Sequence, residues 1–220
     1  QLESLLNSSS SQLTVLESSV SRIEGAEYAS LIQELNASKK DQWGALEARL
    51  AGQTVDGVER RGKYLLLRID NGSLIVHLGM SGSLRVLEPG TQQPLKKHDH
   101  VELVFDDNTV LRYHDPRRFG CILWQDDPVS DHPLIETLGP EPLDEDFNAR
   151  ALFARSRGRK APIKTFIMDS KVVVGVGNIY ANESLFFAGI NPQRAAGNVS
   201  LARYEKLVEC IKRVLARAIE

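Results

Sequence analysis

Runs of strand-like residues separated by polar turns constrain the fold of this chain most strongly. Six such runs are present, over 64–69, 73–78, 83–87, 100–105, 109–113 and 121–124. Asp70-Asn71-Gly72 separates the first two runs, and Asp106-Asp107-Asn108 separates the fourth and fifth. These residue types favour tight hairpins because they accept turn conformations at little cost. The pattern therefore predicts an antiparallel β-sandwich of about six strands.

Before and after this block, apolar residues recur at helical spacing. Helices are predicted over 148–156, 163–169, 179–188 and 201–219, with Ser200 capping the last, and two short helices over 13–23 and 28–35. The proline-rich, acidic stretch 128–146 predicts a domain boundary. We therefore expect an α+β chain with a divergent, serine-rich helical segment (1–45), a β-sandwich domain (46–130) and an all-helical domain (131–220).

Charge is distributed unevenly along the chain. The net charge is −2, yet residues 147–220 hold thirteen Lys or Arg against five Asp or Glu. A basic half predicts a polyanionic partner, and a merely solvated charged face is the alternative. The two cysteines, Cys121 and Cys210, are far apart and have no metal-binding spacing, which predicts no zinc site or disulfide framework. No apolar run is long enough for a membrane helix, so a cytoplasmic protein is expected.

A glycine turn precedes the third predicted helix of the basic half. Gly175 and Gly177 permit positive φ and close backbone approach, and Asn178 is predicted to cap the helix. The free N–H groups of a first helical turn favour an anion. A tight connection between helices is the alternative function of these glycines.

Four further motifs hold residues that suit nucleic-acid chemistry. Asp115 to Gly120 carries two arginines and Phe119, which suit phosphate contact and wedging between bases, or else an ion-paired loop with a core phenylalanine. Met80, flanked by glycines, is either an exposed wedge or a buried filler. Lys63 follows two arginines and is either poised for chemistry or simply solvated. His98-Asp99-His100 favours phosphate contact over metal binding.

Taken together, six ordered motifs resemble those of the formamidopyrimidine-DNA glycosylases. They are Lys63 to Leu67, His77 to Gly82, Lys97 to Val101, Asp115 to Gly120, Leu138 to Leu143 and Gly175 to Tyr180. The resemblance covers residues 46–220. It implies a β-sandwich followed by a helix-two-turn-helix domain, which together clamp damaged double-stranded DNA.

The resemblance also implies roles for single residues. Proteins of this family flip an oxidised purine out of DNA, cleave its glycosidic bond and break the strand by β,δ-elimination. Three residues match the void-filling set, namely Met80, Arg117 and Phe119. Four match DNA-contacting positions, namely His98, Arg117, Arg159 and Asn178. Lys63 matches the lysine that assists elimination and touches phosphate.

Two features of the family are not found in this sequence. The family begins Pro-Glu-Leu-Pro-Glu, whose terminal amine attacks C1′ and whose first glutamate transfers protons. This chain begins Gln1-Leu2-Glu3, so impaired activity is expected. The family's four-cysteine zinc finger would follow Glu220, so no cofactor is expected in this chain.

Two other functions are alternatives to a DNA glycosylase. A catalytically inactive protein that binds damaged or abasic DNA would need the same clamp. An RNA-binding ribosomal protein with a similar helix-two-turn-helix would leave the 115–120 loop and the sandwich unexplained. We expect a monomer that acts at the nucleoid and does not bind membranes.

Overall fold

The computed structural model describes residues 43–91 and 93–219. The chain divides into two compact units. The described part of the first unit comprises 43–57, 68–73 and 124–136, and that of the second comprises 58–67, 74–91, 93–123 and 137–219. The helices predicted over 13–23 and 28–35 lie outside the described residues. The domain limits at 45 and 130 stay a prediction.

Seven strands form two sheets in the part of the chain that the structure describes. They are β1 (Val55–Arg61), β2 (Tyr64–Ile69), β3 (Gly72–His77), β4 (Ser83–Leu87), β5 (Asp99–Val104), β6 (Val110–His114) and β7 (Cys121–Asp126). One sheet has the order β1-β2-β3-β7 and the other β4-β6-β5. All six predicted strands are present within two residues. The strand that the pattern missed is β1, because its VDGVERR sequence is polar and mostly exposed.

Both predicted hairpin turns are present. Asp70 and Asn71 form a two-residue turn between β2 and β3. Between β5 and β6, Asn108 has a φ of 65° and the Asp107 carboxylate accepts the Thr109 N–H at 2.7 Å. These are the conformations and local bonds that asparagine and aspartate favour in turns.

The β4-β6-β5 sheet is antiparallel throughout and carries a buried charge network. Arg85 of β4 and Glu102 of β5 both lie opposite Arg112 of β6. Arg112 is 4% exposed, and its Nε donates to Glu102 at 2.5 Å. Asp99 forms ion pairs with both arginines, at 3.2 Å from Arg85 and 3.5 Å from Arg112. The two carboxylates therefore neutralise arginines that would otherwise repel each other across the strands.

Helices occupy most of the chain after β7. Residues 43–50 form α1, and the later helices are α2 (Pro133–Glu136), α3 (Ala149–Ser156), α4 (Ile163–Met168), α5 (Asn178–Ala188) and α6 (Leu201–Arg217). The four predicted helices agree with α3 to α6 within two residues. Neither α1 nor α2 was predicted. The α2 helix is only four residues long, too short to show a helical repeat.

The apolar stripe of α6 closes the core of the helical region. Tyr204, Leu207 and Ile211 are completely buried. They belong to one cluster with the apolar residues of α3, α4 and α5. The Tyr204 hydroxyl donates to the Ala196 carbonyl at 3.0 Å, so its polar group is satisfied inside this core. The mixed fold with antiparallel sheets and a helical C-terminal part is thus confirmed.

Two predicted helix caps differ from the structure. Gly177 is the N-cap of α5, and Asn178 is the first helical residue, with no capping bond from its side chain. Gly177 is extended (φ −92°, ψ −175°), as an N-cap residue must be, and the chain enters the helix one residue earlier than expected. Ser200 does occupy the N-cap of α6, but its hydroxyl makes no capping bond.

Candidate nucleic-acid interface

The turn between β1 and β2 is fixed by one carboxylate. Glu141 accepts the Gly62 N–H at 2.7 Å, Nη1 of Arg61 at 3.0 Å and Nη1 of Arg60 at 2.9 Å. Burial raises the pKa of Glu141, but these hydrogen bonds outweigh it and hold the pKa below its usual value. Two of the three positive charges in this turn are therefore committed to structure, which leaves Lys63 exposed at its tip.

The segment that carries Glu141 also contacts the approach to α5. Arg61 Nη2 donates to the Gly139 carbonyl at 2.6 Å, and the Gly139 N–H donates to the Ser170 carbonyl at 2.8 Å. A Cβ at Gly139 would lie 2.7 Å from the Lys171 carbonyl oxygen, so only glycine fits there. Segment 138–143 thereby joins the β1–β2 turn to the chain that enters the glycine turn.

As a result, Lys63 lies beside the start of α5. A Cβ at Gly177 would be 3.2 Å from the Lys63 Nζ. Gly175 has a φ of 78°, which permits the tight turn before the helix. The first N–H groups of α5 lack intrahelical partners and carry the positive end of the helix dipole. An ammonium group next to such a helix start suits a phosphate, and Asn178 is exposed at the same place.

Asp115 organises the second candidate element, the loop 115–120. Its buried carboxylate accepts the Gly120 N–H at 2.8 Å, the Arg117 N–H at 3.3 Å and the Tyr113 hydroxyl at 3.3 Å. Burial raises the pKa of Asp115, and these bonds more than offset it, so the pKa lies below its usual value. Arg118 has a φ of 55°, a conformation that this internal bonding holds in place.

The Arg117 and Phe119 side chains point to solvent. Phe119 is 48% exposed, and the Arg117 guanidinium lies over its ring, 4.7 Å from the centroid. The phenylalanine is therefore not a core residue, which excludes the alternative left open by the sequence. A guanidinium is attracted to the face of an aromatic ring, so this loop presents an exposed apolar ring and a positive charge together.

A second loop, 78–82, carries Met80 and lies against the first. Met80 is 74% exposed, so it is not a buried filler either. Gly79 has a φ of 63°, and a Cβ there would lie 2.7 Å from both the Phe119 carbonyl carbon and the Gly120 nitrogen. The three predicted void-filling residues thus stand on two loops in direct backbone contact, which we call the wedge loops (78–82 and 115–120).

His98 belongs to a cluster of three histidines. Its ring centroid is 5.9 Å from that of His114 and 6.5 Å from that of His100, both edge-on. His114 Nδ1 is 2.7 Å from Asp99 Oδ1, and His100 Nε2 is 2.9 Å from the Asp115 carbonyl oxygen. A hydrogen bond from the Lys96 N–H is the main cause that lowers the pKa of Asp99. Nowhere in 43–91 and 93–219 are three His, Cys, Asp or Glu side chains grouped to hold a metal ion.

Arg159 stands on a separate loop after α3. Its side chain is exposed, while its carbonyl accepts the Gly197 N–H at 3.0 Å. A Cβ at Gly197 would lie 2.9 Å from that carbonyl oxygen, so the loop is held at its backbone and the guanidinium is left outside. The structure therefore places Lys63 beside Gly177, next to Asn178, and places Met80 on a loop that contacts the loop of Arg117 and Phe119. His98 and Arg159 lie on two other loops.

Sequence reasoning missed the residues that hold these side chains in place. Glu141 was seen only as part of a motif, and Asp115, Tyr113 and His77 were given no role. A glutamate between two prolines, and an aspartate before Pro-Arg-Arg, were the available signals. Neither pattern says which distant amide the carboxylate binds.

Two family models and many known proteins match the sequence of this chain. Residues 13–122 match the formamidopyrimidine-DNA glycosylase N-terminal domain, and residues 138–220 match the formamidopyrimidine-DNA glycosylase H2TH domain. The enzyme of that name from Methylococcus capsulatus is 60% identical over 171 residues, which are 78% of this chain and 62% of that protein. The one from Stutzerimonas stutzeri is 57% identical over 175 residues, 80% of this chain and 64% of the relative.

Solved structures of related proteins show the same fold. The Lactococcus lactis formamidopyrimidine-DNA glycosylase, non-covalently bound to DNA containing an AP site, superposes with a TM-score of 0.75 at 34% identity. That match covers 80% of this chain and 68% of the other. MutM in complex with DNA containing carbocyclic 8-oxo-G has the same score and identity, with 80% and 66% covered.

The chain spans just under two thirds of the length of the first two relatives, 62% and 64%. None of the helices in the described part of the chain has the length and hydropathy of a membrane span.

The two matched domain models together account for most of the sequence, and both carry the same family name. This chain therefore belongs to the formamidopyrimidine-DNA glycosylase family.

Proposed function

We propose that this chain binds damaged double-stranded DNA and acts in base-excision repair as a DNA glycosylase. Its substrates are oxidised purines such as formamidopyrimidine and 8-oxoguanine, and its AP lyase activity breaks the strand by β,δ-elimination. The observation that carries the proposal is the exposure of Met80 and Phe119 on loops that contact each other through their backbones. Exposure of two neighbouring apolar side chains to water is unfavourable, and it is typical of a surface that binds a partner.

The interior of a DNA duplex is what such a wedge fits. When a nucleotide is flipped out, the stack loses its contacts, and apolar side chains between base steps replace part of them. The Arg117 guanidinium over the Phe119 ring places a positive charge at the same point. That charge suits the phosphates and base edges around the opened step.

The Lys63 side of the interface supplies the phosphate clamp. Lys63 and the start of α5 together attract one phosphate, and Glu141 holds them in register through Gly62. In this proposal Lys63 also assists the elimination chemistry, while His98, Arg159 and Asn178 contact the DNA backbone. The protein acts as a monomer in the cytoplasm, at the nucleoid.

A catalytically inactive protein that recognises damaged or abasic DNA is the alternative. This alternative is favoured because the described candidate side chains suit the binding of phosphate or the filling of a void. Among them, only Lys63 is assigned to chemistry. The glycosylase nucleophile of the family is a terminal proline amine, and residues 1–42 lie outside the described part of the chain.

Trapping with borohydride separates the two functions. The chain is incubated with a duplex containing one 8-oxoguanine, with and without sodium borohydride, beside an undamaged duplex of the same sequence. A covalent protein–DNA adduct together with strand cleavage is expected for the enzyme. Selective binding without adduct or cleavage would support the inactive protein, and equal binding to both duplexes would contradict both functions.

A further inference from the structure

His77, at the end of β3, contacts strand β6 and both wedge loops. Its Nδ1 accepts the Gly79 N–H at 3.1 Å, and its carbonyl oxygen accepts the Tyr113 hydroxyl at 3.3 Å. A Cβ at Gly120 would collide with the same carbonyl oxygen and with the Tyr113 hydroxyl. His77 therefore contacts both wedge loops, one through its ring and the other through its backbone.

The bond to Gly79 fixes the tautomer of the ring. An amide N–H can only donate, so Nδ1 must be unprotonated, and the neutral ring carries its proton on Nε2. Protonation of Nδ1 would place two donors face to face and break the bond. The hydrogen bond is consequently available only while His77 is neutral.

Few of the contacts described for the loop 78–82 can fix its orientation. Met80 is largely in water and gives the loop no packing. The Gly82 N–H donates to the Leu78 carbonyl at 2.9 Å, which closes the turn but does not orient it on the sheet. Two of the contacts described for this loop orient it on the sheet. They are the His77–Gly79 hydrogen bond and the close approach of Gly79 to Phe119 and Gly120.

On these grounds we propose that His77 is a positioning residue for the wedge. Its neutral ring fixes the 78–82 loop through the Gly79 amide, and protonation of Nδ1 releases the loop, so that insertion of Met80 into DNA is lost in acid. The inference rests on the proposed DNA-opening function and adds to it a requirement for one protonation state.

The surroundings of His77 favour the neutral form near neutral pH. Burial lowers its pKa, the charge of Lys63 lowers it further, and the charge of Asp115 partly opposes both. Three other groups face the ring or its backbone and stay uncharged at about pH 8 and below, because burial raises the pKa of each, to about 12 for Tyr64, and upward for Tyr113 and Cys121. Asp115 stays charged, since its pKa is lowered. Among these facing groups, His77 is thus the one expected to change charge in mild acid.

The hydrogen bond between His77 and Gly79 is therefore present near neutral pH and lost in acid. Since the pKa of His77 in the folded protein lies below the usual value of about 6.5, the bond to Gly79 is intact above that pH. It is lost as the pH falls below 6.5 and through the lowered pKa. Acid should therefore reduce wedge insertion even though it makes the protein more positive and strengthens its general attraction to DNA.

Two substitutions separate the role of the ring from its bulk. In His77→Asn the side-chain oxygen takes the place of Nδ1 and accepts the Gly79 N–H at every pH, because an amide does not titrate. In His77→Gln the polar group extends to the place of Nε2, so the acceptor for Gly79 is lost. Both variants are polar and close in size, and they differ in the position of the acceptor.

The test reports insertion separately from binding. A duplex with an abasic analogue carries 2-aminopurine in the opposite strand, next to the step that the wedge enters, where unstacking raises its fluorescence. Protein is kept at saturation from about pH 8 down to about pH 4, so that the range extends well below the usual imidazole pKa of about 6.5. Fluorescence anisotropy of a separately labelled duplex confirms that all DNA is bound.

We expect the wild-type signal to fall by about fivefold in acid, the factor for losing one hydrogen bond. His77→Asn should keep the signal at every pH, and His77→Gln should show the low signal even at about pH 8. A wild-type signal independent of pH, or a His77→Gln signal equal to the wild type, would overturn the inference while leaving DNA binding intact.

The free protein provides an independent measurement. The Gly79 amide resonance should shift with the titration of the His77 ring and exchange faster with solvent once the ring is protonated. If the wild type failed to bind the abasic duplex, the proposed function would fail, and this titration would then decide the role of His77. A Gly79 amide that does not respond to the protonation of His77 would refute the positioning role.

Discussion

At the scale of single residues, Gly120 shows how closely the backbone of the wedge loops packs against its neighbours. A side chain there would meet the Tyr113 hydroxyl and the carbonyl of His77. The absence of a Cβ lets the Gly120 N–H reach the Asp115 carboxylate at 2.8 Å. The sequence offers the glycine after Arg-Arg-Phe, but the need for space there, rather than for a special φ, comes from Tyr113 on the preceding strand and from His77 at the end of β3.

Replacing Gly120 by alanine should therefore disturb both wedge loops. We expect Gly120→Ala to lower the free energy of unfolding by about 1–3 kcal/mol, the usual cost of overpacking. The matched control is Gly44→Ala in α1, where a Cβ meets no atom of the described residues within 4 Å. That change should stabilise the protein by about 0.5–1 kcal/mol, because alanine is the better helix former. Urea denaturation measures both, and equal effects would contradict the steric argument.

At the scale of elements, segment 138–143 determines where the β1–β2 turn and the start of α5 stand. Glu141 holds the turn through Gly62, and Gly139 lies against residues 171 and 172. The position of Lys63 beside Gly177 thus depends on a segment with no helix or strand of its own. Its function is structural, and its contacts determine the geometry of the proposed phosphate clamp.

Glu141→Gln tests this arrangement through its pH dependence. Because the pKa of Glu141 is lowered in the folded protein, its carboxylate contributes stability above the unfolded pKa of about 4.5, and that contribution is lost as the pH falls through the lowered value. At neutral pH the variant should be less stable by about 1–3 kcal/mol.

The difference between wild type and Glu141→Gln should shrink in acid. Chemical denaturation at a series of pH values measures it. Glu145→Gln, at an exposed position a few residues on, is the control and should change stability little at any pH. A constant difference from neutral pH down to about pH 3 would contradict the role of the Glu141 charge.

The helix α6 offers a second prediction at this scale. Leu207 is fully buried in the helical core, so Leu207→Ala should cost about 2–5 kcal/mol of unfolding free energy. Lys206→Ala, at the exposed neighbouring position, is the control and should change stability by less than about 0.5 kcal/mol. Thermal or urea unfolding compares the two, and a small loss for Leu207→Ala would mean that α6 does not close the core.

At the scale of the whole molecule, the charge of the chain is near balance, yet its candidate contacts are positive. The net charge is −2, while Lys63, Arg117 and Arg159 are all exposed. The carboxylates of Glu141 and Asp115 accept backbone N–H groups of the loops that carry the first two. The proposed attraction to DNA is therefore local, and net charge alone would not predict it.

DNA binding should accordingly weaken as salt rises, and single arginines should account for part of the slope. We expect the logarithm of the binding constant for an abasic duplex to fall linearly with the logarithm of salt concentration. Arg117→Ala and Arg159→Ala should each reduce that slope by about one. Arg49→Ala is the control, since Arg49 is bound to Asp126, and its slope should equal that of the wild type. Binding that does not depend on salt would contradict the phosphate contacts.

Local sequence patterns were sufficient to predict most of the strands and helices and to indicate the family. Alternating residues around Asp70-Asn71 and the apolar stripe of α6 are local patterns, so strands, hairpins and helices agreed within two residues. Six motifs in order were enough to indicate the family. Sequence patterns missed β1, because a polar, exposed strand has no apolar alternation. They also missed α1 and α2, and misplaced the cap of α5 by one residue.

How the candidate residues meet could be seen only in the folded chain. It determined that Met80 and Phe119 are exposed, that their loops touch, and that Lys63 stands at the start of α5. It also gave Glu141, Asp115 and His77 their roles as residues that hold others in place. Such roles depend on hydrogen bonds between groups that are up to about eighty positions apart, as from Gly62 to Glu141. A repeat in the sequence reports which face of an element is apolar, whereas the partner of a buried carboxylate or imidazole is determined only when the chain has folded.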